Sequence, residues 1–214
     1  MYKMKKTRIK KKSKKEQRAK SKKFSLKEEY KSCFNYLSES KRFIQLTIVI
    51  FFIFALMGFF IPTPESIYNQ IIEFIKEILK QTEGLSQIEL IQFILFNNLQ
   101  STFLLMLCGI IFGIFPMIGI VVNGYILGFV SSVSVNSEGI FSLWKLLPHG
   151  IFEFPAIFIS TGLGIKLGTT FWKKNSSEKL KEYLLNSLKV FLLIVLPLLI
   201  IAGIIEGSLM YLVG

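Results

Sequence analysis

The sequence contains no aspartate, so each of its 14 acidic residues is a glutamate. It has one histidine, which excludes the paired-histidine zinc site of an H-E-x-x-H peptidase. Two cysteines, Cys33 and Cys108, cannot build a disulfide framework, and neither stands in a metal-ligand spacing. No G-x-S-x-G elbow, Gly-rich phosphate loop or CxxC pair occurs either. The expectation is a protein that is not an enzyme, with no catalytic residues, metal or cofactor. The last absence is positional. Residues 90–137 hold no charged side chain at all, a run of 48 that a soluble domain does not carry.

What is present agrees with that run. Apolar residues make up 51% before the 15 glycines are counted, and the mean hydropathy is +0.51. Of 26 basic residues, 17 fall in residues 1–42 beside four glutamates, while the remainder of the chain is nearly neutral. The net charge of +12 therefore belongs to a tail. We read residues 1–42 as a basic N-terminal arm and 43–214 as a transmembrane helical domain. Residues 1–23 have too little apolar surface to offset ordering entropy and are expected to be disordered. Residues 24–42 mix Phe24, Leu26, Tyr30 and Phe34 with charges, as a short helix lying on a membrane surface would.

The predicted fold is all-α, a polytopic bundle of about five transmembrane helices. Residues 43–61 are uncharged, close to the ~20 needed to cross a bilayer core, and Pro62 and Pro64 close the span. Residues 65–89 carry five glutamates and two lysines with apolar residues at helical spacing, which predicts an amphipathic helix near 65–85. The uncharged run is twice a span with Pro116 near its middle, predicting a hairpin of 94–115 and 117–135. A straight helix over 139–172 would be about 51 Å long, well over one core. Pro148 and Pro155 therefore predict a broken or re-entrant helix around 143–168. A final span runs from Leu188 to Leu212, with a kink expected at Pro197.

Lys and Arg near the span ends set the orientation. The arm is expected in the cytoplasm, 65–89 outside, the lysine-rich 166–189 inside and the C-terminus outside, in a multi-pass protein of the cell membrane. A polybasic arm beside a span adheres to anionic lipid at about 1 kcal/mol per basic residue. With few aromatics before Phe24, it is not expected to bind nucleic acid.

Ionisable groups inside the spans are the candidate functional residues. His149 and Glu153 stand four apart in LLPHGIFEFPAIF, and Glu206 stands in IIAGIIEGSLM. Counted from the outer loops, all three belong to the outer half, with Asn98 at a similar level and Asn123 in the inner half. This polar centre could be a buried clasp, or it could bind a cation or shuttle a proton, because histidine titrates near neutrality. Small residues recur at four-residue spacing in Gly109 and Gly113, Gly124 and Gly128, Gly164 and Gly168, Gly203 and Gly207. Such stripes let backbones approach in lipid, within one subunit or between copies.

Taken together, NN at 97–98, Gly109 and Gly113, NG at 123–124 with Gly128, LLPHGIFEFPAIFISTGLGIKLG at 146–168 and AGIIEGSLM at 202–210 resemble the stage II sporulation protein M family. The resemblance covers about residues 43–214. It implies a multispanning membrane protein. In endospore formers the family's namesake partners a membrane-bound peptidoglycan hydrolase and another membrane protein, so the resemblance points to a non-enzymatic scaffold or anchor of a membrane complex. We expect a homo-oligomer, possible other membrane-protein partners, and, as the alternative, a transporter or channel centred on His149, Glu153 and Glu206.

Overall fold

The computed structural model describes residues 25–213, without the side chains of 145–149 and 213. Residues 1–24, and with them the disorder expected of 1–23, lie outside the described residues. Among those described there is no strand, and five helices are long and apolar enough to cross a membrane.

Helix α1 runs from Leu26 to Phe60 without a break, some 52 Å at 1.5 Å per residue. Among the described residues no separate surface helix precedes the span. Residues 26–42 lack a glycine or proline that would stop a helix, so they extend the one that crosses. After Pro62 and Pro64, α2 occupies Glu65–Thr82, with Glu65 at its positive end and Lys80 in its last turn, both complementing the helix dipole. Gly84, at φ +76°, turns the chain. Glu89 then accepts hydrogen bonds from Ser86 N and Oγ, a capping box that opens α3, Gln87–Leu107.

The hairpin forms, but its turn is not at Pro116. A 3₁₀ turn, Cys108–Ile110, ends α3; Phe112 and Gly113 both take positive φ, and α4 begins at Ile114 and runs to Glu138. Proline is tolerated in a helix's first turn, where its missing N–H has no intrahelical partner, so Pro116 marks a start rather than a bend. Positive φ is uncommon for phenylalanine. The Phe112 ring is held 4.6 Å from that of Phe171 and 5.7 Å from that of Trp172.

Similarly, the break in the next segment precedes the prolines. Ile140–Leu146 is 3₁₀, after which α5, Leu147–Gly168, continues through Pro155. From Ala156 to Gly168 nearly every residue of α5 is buried, which makes it the bundle's axis. The polar 173–186 stretch is mostly helical: α6, Ser176–Val190, runs into a π turn at Phe191–Val195 and then α7, Leu196–Val213. The wider turn sits just before Pro197, whose ring would clash with the carbonyl four residues back in a regular helix.

Helices α3, α5 and α7 pack against one another around Met106, Leu163, Leu167, Val195 and Leu199. A second cluster joins α1, α4 and α5 through Phe51, Ile120, Ile157 and Phe158, with the Phe51 ring 5.1 Å from that of Phe158.

Candidate functional site

Close backbone approach positions the site. A Cβ added to Gly109 would run into the Gly164 backbone, and one on Gly168 into Phe112 and Gly113. Gly124 and Gly128 lie against the carbonyls of Phe51 and Ala55 in α1. Gly203 and Gly207 lie against Leu95 and Ile91 in α3. Each glycine stripe is thus occupied inside the chain. Without hydrocarbon-driven attraction between helices in lipid, this dispersion contact is what fixes their register.

That register locates the polar residues. Leu95 faces Gly203 and Ile91 faces Gly207, so Glu206 is level with the stretch of α3 between Ile91 and Leu95. Glu153, on α5, is close enough that the charge of Glu206 acts on it. Both side chains are only partly exposed. The Glu206 Oε2 atom is itself buried and has no hydrogen-bond partner among the described residues. Here, then, are two neighbouring carboxylates at span depth, where water cannot compensate an unmet polar atom cheaply. His149 falls in α5, and its side chain lies outside the described residues.

The two asparagines stand apart from this pair. Asn98 lies about six residues deeper on α3 than Glu206, roughly 9 Å along the axis, and its carbonyl accepts from Thr102 Oγ1. Asn123 is exposed on α4 and donates Nδ2 to Gly119 O at 2.8 Å, so its amide serves its own helix.

A second ionisable centre lies at the other end of α5. Lys166, near the end of α5, is 4% exposed. Its Nζ donates to Ser40 Oγ at 2.9 Å, stands 3.6 Å from the centroid of the Tyr36 ring and 4.8 Å from that of Tyr183, and lies 3.8 Å from Glu39 Oε2. The cage closes on itself, because Tyr36 OH donates to Tyr183 O at 3.2 Å and meets Ser187 Oγ at 3.2 Å. Two copies of one pattern supply it: Tyr36 with Ser40 on α1, and Tyr183 with Ser187 on α6, each four apart and so on one helix face. That repeated Tyr-x-x-x-Ser spacing is the signal in the sequence. A lysine counted only as a positive-inside vote hides it.

No arrangement of three or more His, Cys or Glu side chains suited to a metal occurs among the described residues. The family description "Stage II sporulation protein M" matches residues 47–209. Two uncharacterised proteins of Methanocaldococcus jannaschii are similar to the chain. One is 35% identical over 119 residues, covering 53% of this chain and 66% of its own length. The other is 33% identical over 141 residues, covering 63% and 62%. The matched stretches thus span just under two thirds of those relatives. No solved structure matches the chain. With most of its length inside the family's boundaries and five membrane-length helices, the chain belongs to the stage II sporulation protein M family.

Proposed function

We propose that this protein is a non-enzymatic anchor of a membrane complex, working as a homo-oligomer in the cell membrane. The arm and 166–189 face the cytoplasm; 65–89 and the C-terminus face outward. The observation that carries this reading is the seating of α5, whose Gly164 and Gly168 press backbone to backbone on Gly109 and Gly113. A helix held so closely along its inner half suits a rigid frame better than a moving gate. Val49, Phe52, Ile53 and Leu56 of α1 are outward-facing and apolar, and they supply the surface for a second copy or another membrane protein. The basic arm adds adhesion to anionic lipid.

Cross-linking tests this in the full chain. Val49→Cys or Ile53→Cys, with Cys33 and Cys108 replaced by alanine, should give a disulfide-linked dimer in native membranes. Monomer at both positions, with no second membrane protein recovered at stoichiometric yield, removes the reading.

One observation favours a second reading, a transporter or channel. It is the buried Glu206 Oε2, without a hydrogen-bond partner among the described residues and within electrostatic reach of Glu153, which is chemistry suited to a proton or a cation. In that case Na⁺, K⁺ or Ca²⁺ at constant ionic strength should raise the unfolding midpoint of the wild type and not of Glu206→Gln. No ion-specific shift in the wild type removes the cation form of this reading.

A further inference from the structure

Helix α2 has an apolar face wider than its packing uses. Ile71 is buried, while Ile67, Tyr68, Phe74 and Leu79 remain exposed on the same side. Such a helix lies in the membrane interface with that side against acyl chains. Its first turns are held by Tyr68, whose ring is 5.4 Å from that of Phe129 in α4. Its other end, with the Gly84 turn, meets the end of α7 beside an open pocket of about 630 Å³.

The walls of this pocket are unequal. Leu79, Leu90 and Met210 form an apolar floor, and Lys76, Lys80, Glu83 and Tyr211 bring polar groups to it. Residues 65–89 contain two lysines and five glutamates; both lysines line the pocket and only one glutamate does. The helix dipole accounts for Lys80, in the last turn, but not for Lys76 one turn earlier. Each lysine stands three residues after a glutamate, Glu73 before Lys76 and Glu77 before Lys80, but neither of those glutamates lines the pocket. Neither ammonium is ion-paired among the described residues. Two unpaired cations over an apolar floor, at the end of an interfacial helix, are complementary to an anion that carries its own hydrocarbon.

We propose that this pocket binds the headgroup of an anionic phospholipid. The phosphate sits between Lys76 and Lys80, and the glycerol-linked chain lies on Leu79, Leu90 and Met210. Glu83 and Tyr211 accept and donate hydrogen bonds to headgroup hydroxyls, which suits a glycerol or sugar headgroup. Nothing in the pocket draws on the arm, so the two lipid contacts separate experimentally.

The test uses the full chain in a mild neutral detergent, titrated with phosphatidylglycerol, phosphatidylcholine or inorganic phosphate and read as bound lipid by native mass spectrometry. One phosphatidylglycerol per chain should persist at salt that strips the arm, and Lys76→Gln/Lys80→Gln should weaken it about tenfold or more. Met210→Trp, which fills the pocket and keeps both charges, should also displace it. These side chains are at or near the surface, so folding is expected to survive and is checked by the unfolding midpoint. Equal binding of phosphatidylcholine, equal competition by free phosphate, or unchanged binding in the double variant would each overturn the proposal.

Discussion

At the Gly168 end of α5, Lys166 is enclosed by two tyrosine rings and a serine hydroxyl. Thirteen residues earlier on the same helix, about 20 Å away, Glu153 feels a second carboxyl group, and Glu206 Oε2 has no hydrogen-bond partner among the described residues. One centre answers its charge with cation–π and hydrogen-bond partners from α1 and α6. The other has no such partners among the described residues, only a second carboxyl group within electrostatic reach. A buried charge costs stability unless it is partnered, so the first arrangement holds helices together, whereas the second gains no such support from the described residues. Burial alone does not separate them; the partner set does.

Substitutions at the two ends sharpen or break that contrast. The largest effect is expected at Lys166. Lys166→Ala leaves Ser40 without its donor and the rings without their cation, at a cost of about 3 kcal/mol in reversible unfolding in mixed micelles. A loss below about 1 kcal/mol would put the cage among contacts that do not hold the fold together. Tyr36→Phe keeps the ring but removes the hydroxyl that reaches Tyr183 O and Ser187, and should cost about 1–2 kcal/mol by the same assay. Glu206→Gln keeps polarity while deleting the buried ionisable group, so stability should stay or rise; a loss of about 2 kcal/mol would mean the carboxylate is partnered after all. The smallest effect belongs to Glu39→Gln. Its carboxylate is 69% exposed and 3.8 Å from Lys166, so the change should be within about 0.5 kcal/mol and should vanish in high salt.

The sequence made one half of this picture legible and hid the other. Bilayer thickness sets span length, so the all-α class and five membrane-length helices follow from where charge is missing. Breaks were harder. Proline in the sequence predicts bends at 116 and around 148–155, whereas Pro116 falls in the first turn of α4 and α5 begins before Pro148 and continues through Pro155. The work of turning is done by Phe112 and Gly113 in left-handed conformations, which no hydropathy pattern reports. The charges of residues 24–42 suggest a separate surface helix, yet α1 is continuous from Leu26 because charge ends a span without ending a helix. Depth counting from the loops places His149, Glu153 and Glu206 in one half of the bilayer, since depth is a one-dimensional quantity. Lateral neighbours are not. The cage draws on residues 36, 40, 166, 183 and 187, and what joins them is the packing of three helices, which no local window contains.

The central claim is that this frame anchors rather than conducts, and flux tests it most directly. Wild-type protein is reconstituted into liposomes loaded with a pH-sensitive dye and challenged with proton, Na⁺ and K⁺ gradients from pH 5 to 8. The account predicts flux no greater than in protein-free liposomes at every pH. Flux above that background that disappears in Glu153→Gln and Glu206→Gln, with both variants folded, would contradict it.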